Sequence, residues 1–300
     1  MRIARVFEGS SPTVALAHGS GLYRASAIEA ILGTPLPDGT SQAFEDRVFA
    51  LGLLGLDLTH AELAGGTHLE DTRLPPNVAL LPPVGKDPAV LELPAFGSDT
   101  RPRRVSGRAL CGHEGSVALP FAAPQDTRAR SRDRGGQSAA PGMGVGVGLA
   151  FVLGEDLRRA TPAGAWNAVI GASLSLTFSL GELDERAGFV PAQIHSRELG
   201  TALGPWLVTR DEWGSQVTLS TPDGDHVVNV DGARIGNALS WVSWLGDVRA
   251  GDVLIVATPP AWRQLEQRVS VEAPGFGQLA VTLGGAPGIP GDGLARIDDG

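Results

Sequence analysis

The sequence predicts a β-rich mixed fold in which a small α+β domain precedes a larger, strand-dominated domain. Beyond about residue 105, short apolar segments alternate with turns rich in Gly, Pro and Asp, which is typical of β-structure. The first 90 residues instead combine a hairpin pattern with one amphipathic helix pattern. We therefore predict domains at 1–90 and 105–285, a connector at 91–104 and a flexible tail at 286–300.

The N-terminal domain carries the signals of a hairpin followed by a helix. The segments RIARVFE and TVALAHGSGLYRA suit two strands, and the turn formers from Gly9 to Pro12 separate them. The segment AFEDRVFALGLLGL places apolar residues at the 3.6-residue period of a helix. The stretch 69–104 is rich in Pro and has no clear period, which favours a connection over a packed element.

Two short helices are expected among the strands of the larger domain. Thr161 followed by Pro162 marks a helix start, because Thr caps the first turn and Pro is tolerated at its first position. A second helix is predicted near 236–246. The apolar segment at 168–180, AVIGASLSLTFSL, predicts a long strand between them.

Composition excludes several classes of function. The chain has 300 residues, 42% of them hydrophobic, and a net charge of −9, which opposes nucleic-acid binding because that requires a concentrated basic face. The sequence has no run of about 18 apolar residues, so no membrane span is predicted. The N-terminus also lacks the apolar region of a signal peptide. Cys111 is the single cysteine, so no intrachain disulfide forms, and we expect a cytoplasmic protein.

The segment PGMGVGVGLAFVLGEDL at 141–157 combines a buried strand pattern with a glycine at every second position of its first half. Glycine inside a strand weakens it and marks either a close approach or a missing side chain. The segment is not a dinucleotide-binding loop, because such a loop follows a strand and opens a helix. One face of this strand is therefore bare for another reason.

Six segments between about residues 105 and 283 resemble the fumarylacetoacetate hydrolase family in order and spacing. They are GHEGSVALP, GVGVGLAFVLGEDL, AWNAVIGASLSLTFS, ALGPWLVTRDE, VNVDGARIGN and RAGDVLIVATPPA. The resemblance implies a rolled mixed β-barrel preceded by a small N-terminal domain. It also implies a homodimer.

The resemblance implies the family's chemistry, which is metal-assisted cleavage, hydration or decarboxylation of oxo-enol acids. It also implies that three carboxylates of the protein bind the divalent cation. Aligned on Leu149, Ala150 and Gly154, the two family glutamates fall on Gly146 and Gly148. Aligned on Gly171 and Ser179, the family aspartate falls on Thr177. Hard divalent cations need oxygen ligands of this kind. We therefore expect neither a metal nor another cofactor at these positions, which we predict to form a vacated pocket.

Further site residues follow from the same resemblance. The family's catalytic lysine falls on His195, whose imidazole suits acid–base work near neutral pH. Thr258 closes the family's Thr-Gly-Thr-Pro turn, and with Thr177 it is predicted to supply polar contacts to a substrate. We expect three indoles to line the emptied pocket and make it apolar, those of Trp206, Trp241 and Trp244.

Three functions remain open from the sequence. The first is a metal-independent isomerase, lyase or cyclase acting on an apolar, polyketide-like or oxo-enol molecule, including a [4+2] ring closure, by holding a reactive conformer. The second is a non-catalytic subunit or ligand-binding module. The third is the family's hydrolase activity on an oxo-enol acid with unrecognised metal ligands. The expected partners are a small substrate and a second copy of the chain, without nucleic acid or membrane.

Overall fold

A computed structural model describes the chain over residues 1–8, 11–18, 21–25, 72–84, 88–94, 102–105, 110–117, 142–179, 200–259, 261–264 and 268–283. The β-rich mixed fold predicted from the sequence is confirmed over these residues. The predicted helix AFEDRVFALGLLGL, the tail at 286–300 and His195 lie outside the described residues.

The described strands pair into two sheets. In chain order they are β1 (Arg2–Glu8), β2 (Ser11–His18), β3 (Gly21–Arg24), β4 (Ala79–Leu81), β5 (Val90–Pro94), β6 (Arg103–Val105), β7 (Leu110–Cys111), β8 (Gly115–Val117), β9 (Gly142–Leu153), β10 (Val169–Ser179), β11 (Thr201–Thr209), β12 (Gln216–Thr221), β13 (Gly224–Asn229), β14 (Val253–Ala257), β15 (Ala261–Gln264), β16 (Arg268–Ala273) and β17 (Gly277–Leu283). The larger sheet has the order β3-β2-β1-β11-β10-β9-β14-β5-β6, with β4, β7 and β15 paired beside β1, β11 and β9. The smaller sheet has the order β13-β12-β16-β17-β8.

The N-terminal strands belong to the same sheet as the strands of the larger domain. β1 pairs antiparallel with β11, and β5 pairs parallel with β14 from Val90↔Val253 to Pro94↔Ala257. The predicted connector at 91–104 is therefore wrong as a description of this segment, since it contributes most of β5 and the start of β6. The error arose because Pro94 and Pro102 broke the periodic pattern, although Pro94 only ends its strand.

Both helices predicted among the strands of the larger domain are present, and each begins at a capping side chain. α1 (Pro162–Asn167) begins after Thr161, whose side chain accepts a hydrogen bond from the Gly164 N–H. α2 (Gly232–Leu245) begins four residues earlier than predicted, because Asp231 caps it by accepting from the N–H groups of Ala233 and Arg234. No helix among the described residues is long and apolar enough to cross a membrane.

The two faces of the larger sheet pack against different partners. On the first face, residues such as Leu149 and Phe151 of β9 join one apolar cluster with Leu279 and Val281 of the smaller sheet. On the second face, Ala150 and Val152 of β9 and Leu203 of β11 join a cluster with the N-terminal Ile3 and Leu16. Because side chains alternate along a strand, neighbouring residues of β9 serve opposite cores.

Candidate functional site

The bare segment of β9 lies on the second face, opposite a row of hydroxyl side chains. In the antiparallel register, Gly144 faces Ser179, Gly146 faces Thr177, and Gly148 faces Ser175. Cross-strand partners point to the same side of a sheet. The alternating glycines therefore lie beside the alternating hydroxyls of the neighbouring strand.

Three of the predicted site residues, Gly146, Thr177 and Thr258, meet at one point. A Cβ placed on Gly146 would lie 2.6 Å from Thr177 Oγ1 and 2.9 Å from the Thr258 carbonyl oxygen. Thr258 is held there by two bonds to Val147: its hydroxyl accepts from the Val147 N–H at 3.1 Å, and its own N–H donates to the Val147 carbonyl at 2.8 Å. The structure thus fills the space above Gly146 with a hydroxyl and a carbonyl.

Gly148 is bare because a neighbouring strand comes too close for any side chain. A Cβ there would lie 2.7 Å from the Cα of Ala257 and nearer still to the carbonyl oxygen of Val256, both on β14. Real Cβ atoms do not approach backbone so closely, so β14 would have to move. The close approach of β14 therefore explains the glycine at this position.

Buried hydroxyl side chains lie along β10 and β11 on the face that carries Gly146. We call them the hydroxyl row: Ser173, Ser175, Thr177 and Ser179 of β10 and Thr201 of β11. Thr201 is the cross-strand partner of Thr177. These side chains are between 0 and 9% exposed. Four of the five hydroxyls have no hydrogen-bond partner among the described residues, and Thr177 is not one of the four. Buried polar groups of folded proteins are nearly always paired, so this concentration is unusual.

The residues present do not fit the cation implied by the resemblance. Magnesium, manganese and calcium are bound through carboxylate and carbonyl oxygens. The three positions supply two glycines and one hydroxyl, without a carboxylate. In the described part of the chain, no group of three or more His, Cys, Asp or Glu side chains could hold a metal ion.

Sequence reasoning missed four hydroxyls of the row and one buried carboxylate. The signal for Ser173, Ser175 and Ser179 is the strict alternation in ASLSLTFS, which places small polar residues on one face of a strand that is apolar on the other. Thr201 gave no local signal, because only the pairing of β10 with β11 brings it to Thr177. Glu92 of β5 is 5% exposed and lies on the same face, in the row Glu92–Ile255–Ala150–Ser173.

The indoles do not line an interior pocket as predicted. Trp241 and Trp244 are 41 and 63% exposed on the outer side of α2, and the Arg159 guanidinium lies 5.7 Å from the Trp244 ring centroid. Trp206 is half-buried among core residues and donates its indole N–H to the Gly275 carbonyl at 3.2 Å. Composition shows that indoles are present, but it does not show which way they face.

The segment around His113 is bonded into the framework. Its Nδ1 accepts from the Ala280 N–H at 3.3 Å, and its Nε2 lies 3.4 Å from the carboxylate of Glu114, which also pairs with Arg268. Burial lowers the pKa of His113, so its imidazole is neutral near neutral pH. Burial also raises the pKa of the Cys111 thiol to about 12, which leaves it a poor nucleophile.

A cleft on the first face is too small for a substrate. It measures about 40 Å³ and lies between β9 and the smaller sheet, lined by Val145, Val147, Asp223, Arg268 and Ser270 among others. Ligand pockets are usually several hundred Å³, whereas this cleft holds only a few water molecules. We take the second face as the candidate site because it carries the three aligned positions and the hydroxyl row.

Comparison with known proteins places these observations in a family context. The family model described as fumarylacetoacetate (FAA) hydrolase C-terminal matches residues 109–283, which is more than half of the chain. No curated protein sequence matches the chain. The matched range includes β9, β10, β11 and β14, and therefore the whole hydroxyl row.

Solved structures of this family share the fold over nearly their full length. Maleylpyruvate hydrolase from Sphingobium sp. SYK-6, in complex with manganese(II) and pyruvate, is 20% identical with a TM-score of 0.63, covering 95% of this chain and 100% of that one. The 5-carboxymethyl-2-hydroxymuconate delta-isomerase from Mycobacterium smegmatis is 18% identical with a TM-score of 0.61, covering 94% and 99%. Fumarylacetoacetate hydrolase from Exiguobacterium antarcticum is 16% identical with a TM-score of 0.63, covering 94% and 99%.

Proposed function

The chain belongs to the fumarylacetoacetate hydrolase family, and from this premise we propose that it is a metal-independent isomerase, lyase or cyclase acting on a small oxo-enol or polyketide-like molecule. The observation that carries the proposal is the filled space above Gly146. There the Thr177 hydroxyl and the Thr258 carbonyl stand where the resemblance places a metal-binding carboxylate. The family resemblance supports an enzyme, since structural neighbours are isomerases and hydrolases.

Hydroxyl groups can perform part of the work that a cation performs in such reactions. Enolisation of a ketone and elimination next to a carbonyl both develop negative charge on the carbonyl oxygen. A hydroxyl donates a hydrogen bond to that oxygen, and donors fixed in a water-poor site stabilise it without reorganisation. Thr177, which is 9% exposed, and its cross-strand neighbour Thr201 would donate to this oxygen.

Proton transfer requires a group with a suitable pKa. We assign this role to His195, the residue at the position of the family's lysine, which stays a prediction because it lies outside the described residues. An imidazole both accepts and returns a proton near neutral pH. A metal-free mechanism therefore consists of hydroxyl donors that hold the enol form and one histidine that moves the proton.

The test compares turnover with and without metal. Protein treated with EDTA is incubated with 2-hydroxyhepta-2,4-diene-1,7-dioate and with heptane-2,4,6-trione, an uncharged polyketide-like compound, and products are followed by absorbance and mass spectrometry. We expect turnover of at least one compound at a rate that added Mn²⁺ leaves unchanged. No turnover of either compound, or a rate that saturates with Mn²⁺, contradicts the proposal.

Variants locate the activity within the chain. Thr177→Val removes a donor with little change in shape, and we expect kcat/KM to fall by about a hundredfold to a thousandfold, the range for loss of one oxyanion donor. Thr218→Val is the matched control, because Thr218 is an exposed strand residue of the smaller sheet. His195→Gln should lower kcat more than it raises KM, and its rate should lose the pH dependence of an imidazole.

A non-catalytic, ligand-binding member of the family is the second candidate. It is favoured by the donor set at the three aligned positions, two glycines and one hydroxyl, which offers no carboxylate for the family's metal-assisted chemistry. This candidate predicts ligand binding with no product in the same assay. We also propose a homodimer, as the resemblance implies, which sedimentation equilibrium of the purified chain tests directly.

A further inference from the structure

We infer that the hydroxyl row binds the uncharged keto–enol oxygens of a 1,3-dicarbonyl compound, and not the carboxylate of an oxo acid. This inference rests on the proposed function and names its substrate class. The row consists of Ser173, Ser175, Thr177 and Ser179 on β10 and Thr201 on β11, all on one face of the larger sheet.

Burial without partners indicates that the row has a use beyond folding. The hydroxyl oxygens of Ser173, Ser175, Ser179 and Thr201 are shielded from water and have no hydrogen-bond partner among the described residues. Alanine or valine would fill the same positions without the cost of an unpaired polar atom. A bound molecule that supplies the missing partners explains why hydroxyls stand there.

The spacing of the row matches a molecule with several oxygens. Thr177 and Thr201 are direct cross-strand partners, so their Cβ atoms are about 5 Å apart. Ser175 and Ser179 lie two residues away on either side along β10, about 7 Å from Thr177. A chain of carbonyl and enol oxygens meets such donors at successive positions.

The charge of the surroundings selects the uncharged form. The cross-strand neighbours of the row are Gly144, Gly146, Gly148, Ala150 and Leu203, which carry no charge. A buried anion needs a compensating cation, and none of these neighbours supplies one. Hydroxyls both donate and accept, as pairing with a keto–enol system requires.

The test measures binding of acetylacetone, a small uncharged 1,3-diketone, and of pyruvate, a small oxo-acid anion, to the full chain in EDTA. Ligand-observed NMR titration gives both dissociation constants. We expect acetylacetone to bind at least tenfold more tightly than pyruvate. Because the oxygens of the row are closed to water, we also expect association slower than about 10⁵ M⁻¹ s⁻¹.

Two variants locate the binding in the row. Thr201→Val and Ser175→Ala should each weaken acetylacetone binding at least fivefold while the melting temperature stays unchanged or rises. The opposite movement of affinity and stability is a signature that a purely structural role does not produce. Thr218→Val and Ser220→Ala, on the exposed face of β12, are the matched controls and should change neither quantity.

The outcomes separate this inference from the proposed function. Equal acetylacetone binding by the variants and the parent chain overturns the inference, and so does tighter metal-free binding of pyruvate, while both leave a metal-independent enzyme in place. If neither probe binds although the metal-free turnover assay succeeds, the inference also fails alone. Pyruvate binding that requires Mn²⁺ overturns the proposed function itself.

Discussion

The two faces of the β9–β10 pair carry different kinds of side chain, although the same two strands form both faces. On the first face, Val147 and Phe151 pack with Leu174 and other large side chains into the core against the smaller sheet. On the second face, β9 carries Gly144, Gly146 and Gly148 followed by Ala150 and Val152, and β10 carries four of the five hydroxyls of the row. The first face of the pair is therefore filled with large apolar side chains, whereas the second joins an apolar cluster at Ala150 and Val152 and otherwise carries glycines and hydroxyls.

This difference shows how one sheet separates stability from function. Apolar burial on the first face contributes most of the stabilising free energy, since it scales with the apolar area removed from water. Buried hydroxyls without partners cost free energy, so their retention in a folded protein calls for an explanation such as a catalytic role or a bound molecule. Substitutions on the two faces should therefore have effects of different size and even of different sign.

The largest effect is expected on the first face. Phe151 is fully buried, and its ring makes edge contacts with Trp166 and Trp213 at centroid distances of 6.3 Å. Phe151→Ala should lower the free energy of unfolding by about 3–5 kcal/mol, from lost burial and the resulting cavity. Urea denaturation measures it, with Val227→Ala at a 45% exposed strand position as the control. A loss below about 1 kcal/mol would contradict the assignment of this face to the core.

The second face resists added volume at one position. Gly148→Ala introduces a Cβ that meets the backbone of β14, so we expect a loss of about 1–3 kcal/mol. Gly214→Ala is the control, because nothing lies within 4 Å of a Cβ there. That substitution should leave stability unchanged or slightly raise it. Equal effects of the two substitutions would show that β14 does not approach β9 as closely as described.

The Thr258 hydroxyl connects the end of β14 to β9 through a hydrogen bond with the Val147 N–H. Thr258→Val removes the acceptor of the Val147 N–H and leaves that donor buried, which should cost about 1–3 kcal/mol. Thermal unfolding compared with Thr218→Val isolates the lost hydrogen bond from the general effect of exchanging threonine for valine. An unchanged melting temperature would mean that the Val147 N–H finds another acceptor.

The smallest effect, and the sharpest contrast, comes from two adjacent residues. Ser173→Ala removes a buried hydroxyl without a described partner, so stability should stay the same or rise by up to about 1 kcal/mol. Leu174→Ala, one residue further and on the opposite face, should cost about 2–5 kcal/mol. If Ser173→Ala were as destabilising as Leu174→Ala, the two faces would not differ in the way we describe.

Local signals in the sequence predicted the elements well, because each depends on neighbouring residues. Thr161 and Pro162 fixed the start of α1, and the apolar run at 168–180 became β10 with nearly the predicted ends. The glycine alternation identified the bare face of β9, and the three aligned positions Gly146, Thr177 and Thr258 do meet in space. Helix caps and strand alternation are properties of a few consecutive residues, which a sequence displays directly.

Features that depend on pairing between distant segments could not be predicted. Thr201 joins the hydroxyl row only because β11 pairs with β10, and the close approach to Gly148 exists only because β14 lies beside β9. The orientation of Trp241 and Trp244 depends on which side of α2 packs inward, and Ile235 and Leu239 occupy that side. The predicted connector failed for the same reason, since its strand β5 is recognised by its partner β14 rather than by its own pattern.

The long-range pairing of β5 has a consequence for the newly made chain. β5 pairs with β14, which is synthesised about 160 residues later. At a rate of about 5–20 residues per second, β5 waits roughly 10–30 s before its partner leaves the ribosome. During that time an apolar strand presents an unpaired edge, a template for wrong partners. The sheet order thus leaves one edge of β5 open until β14 has been made.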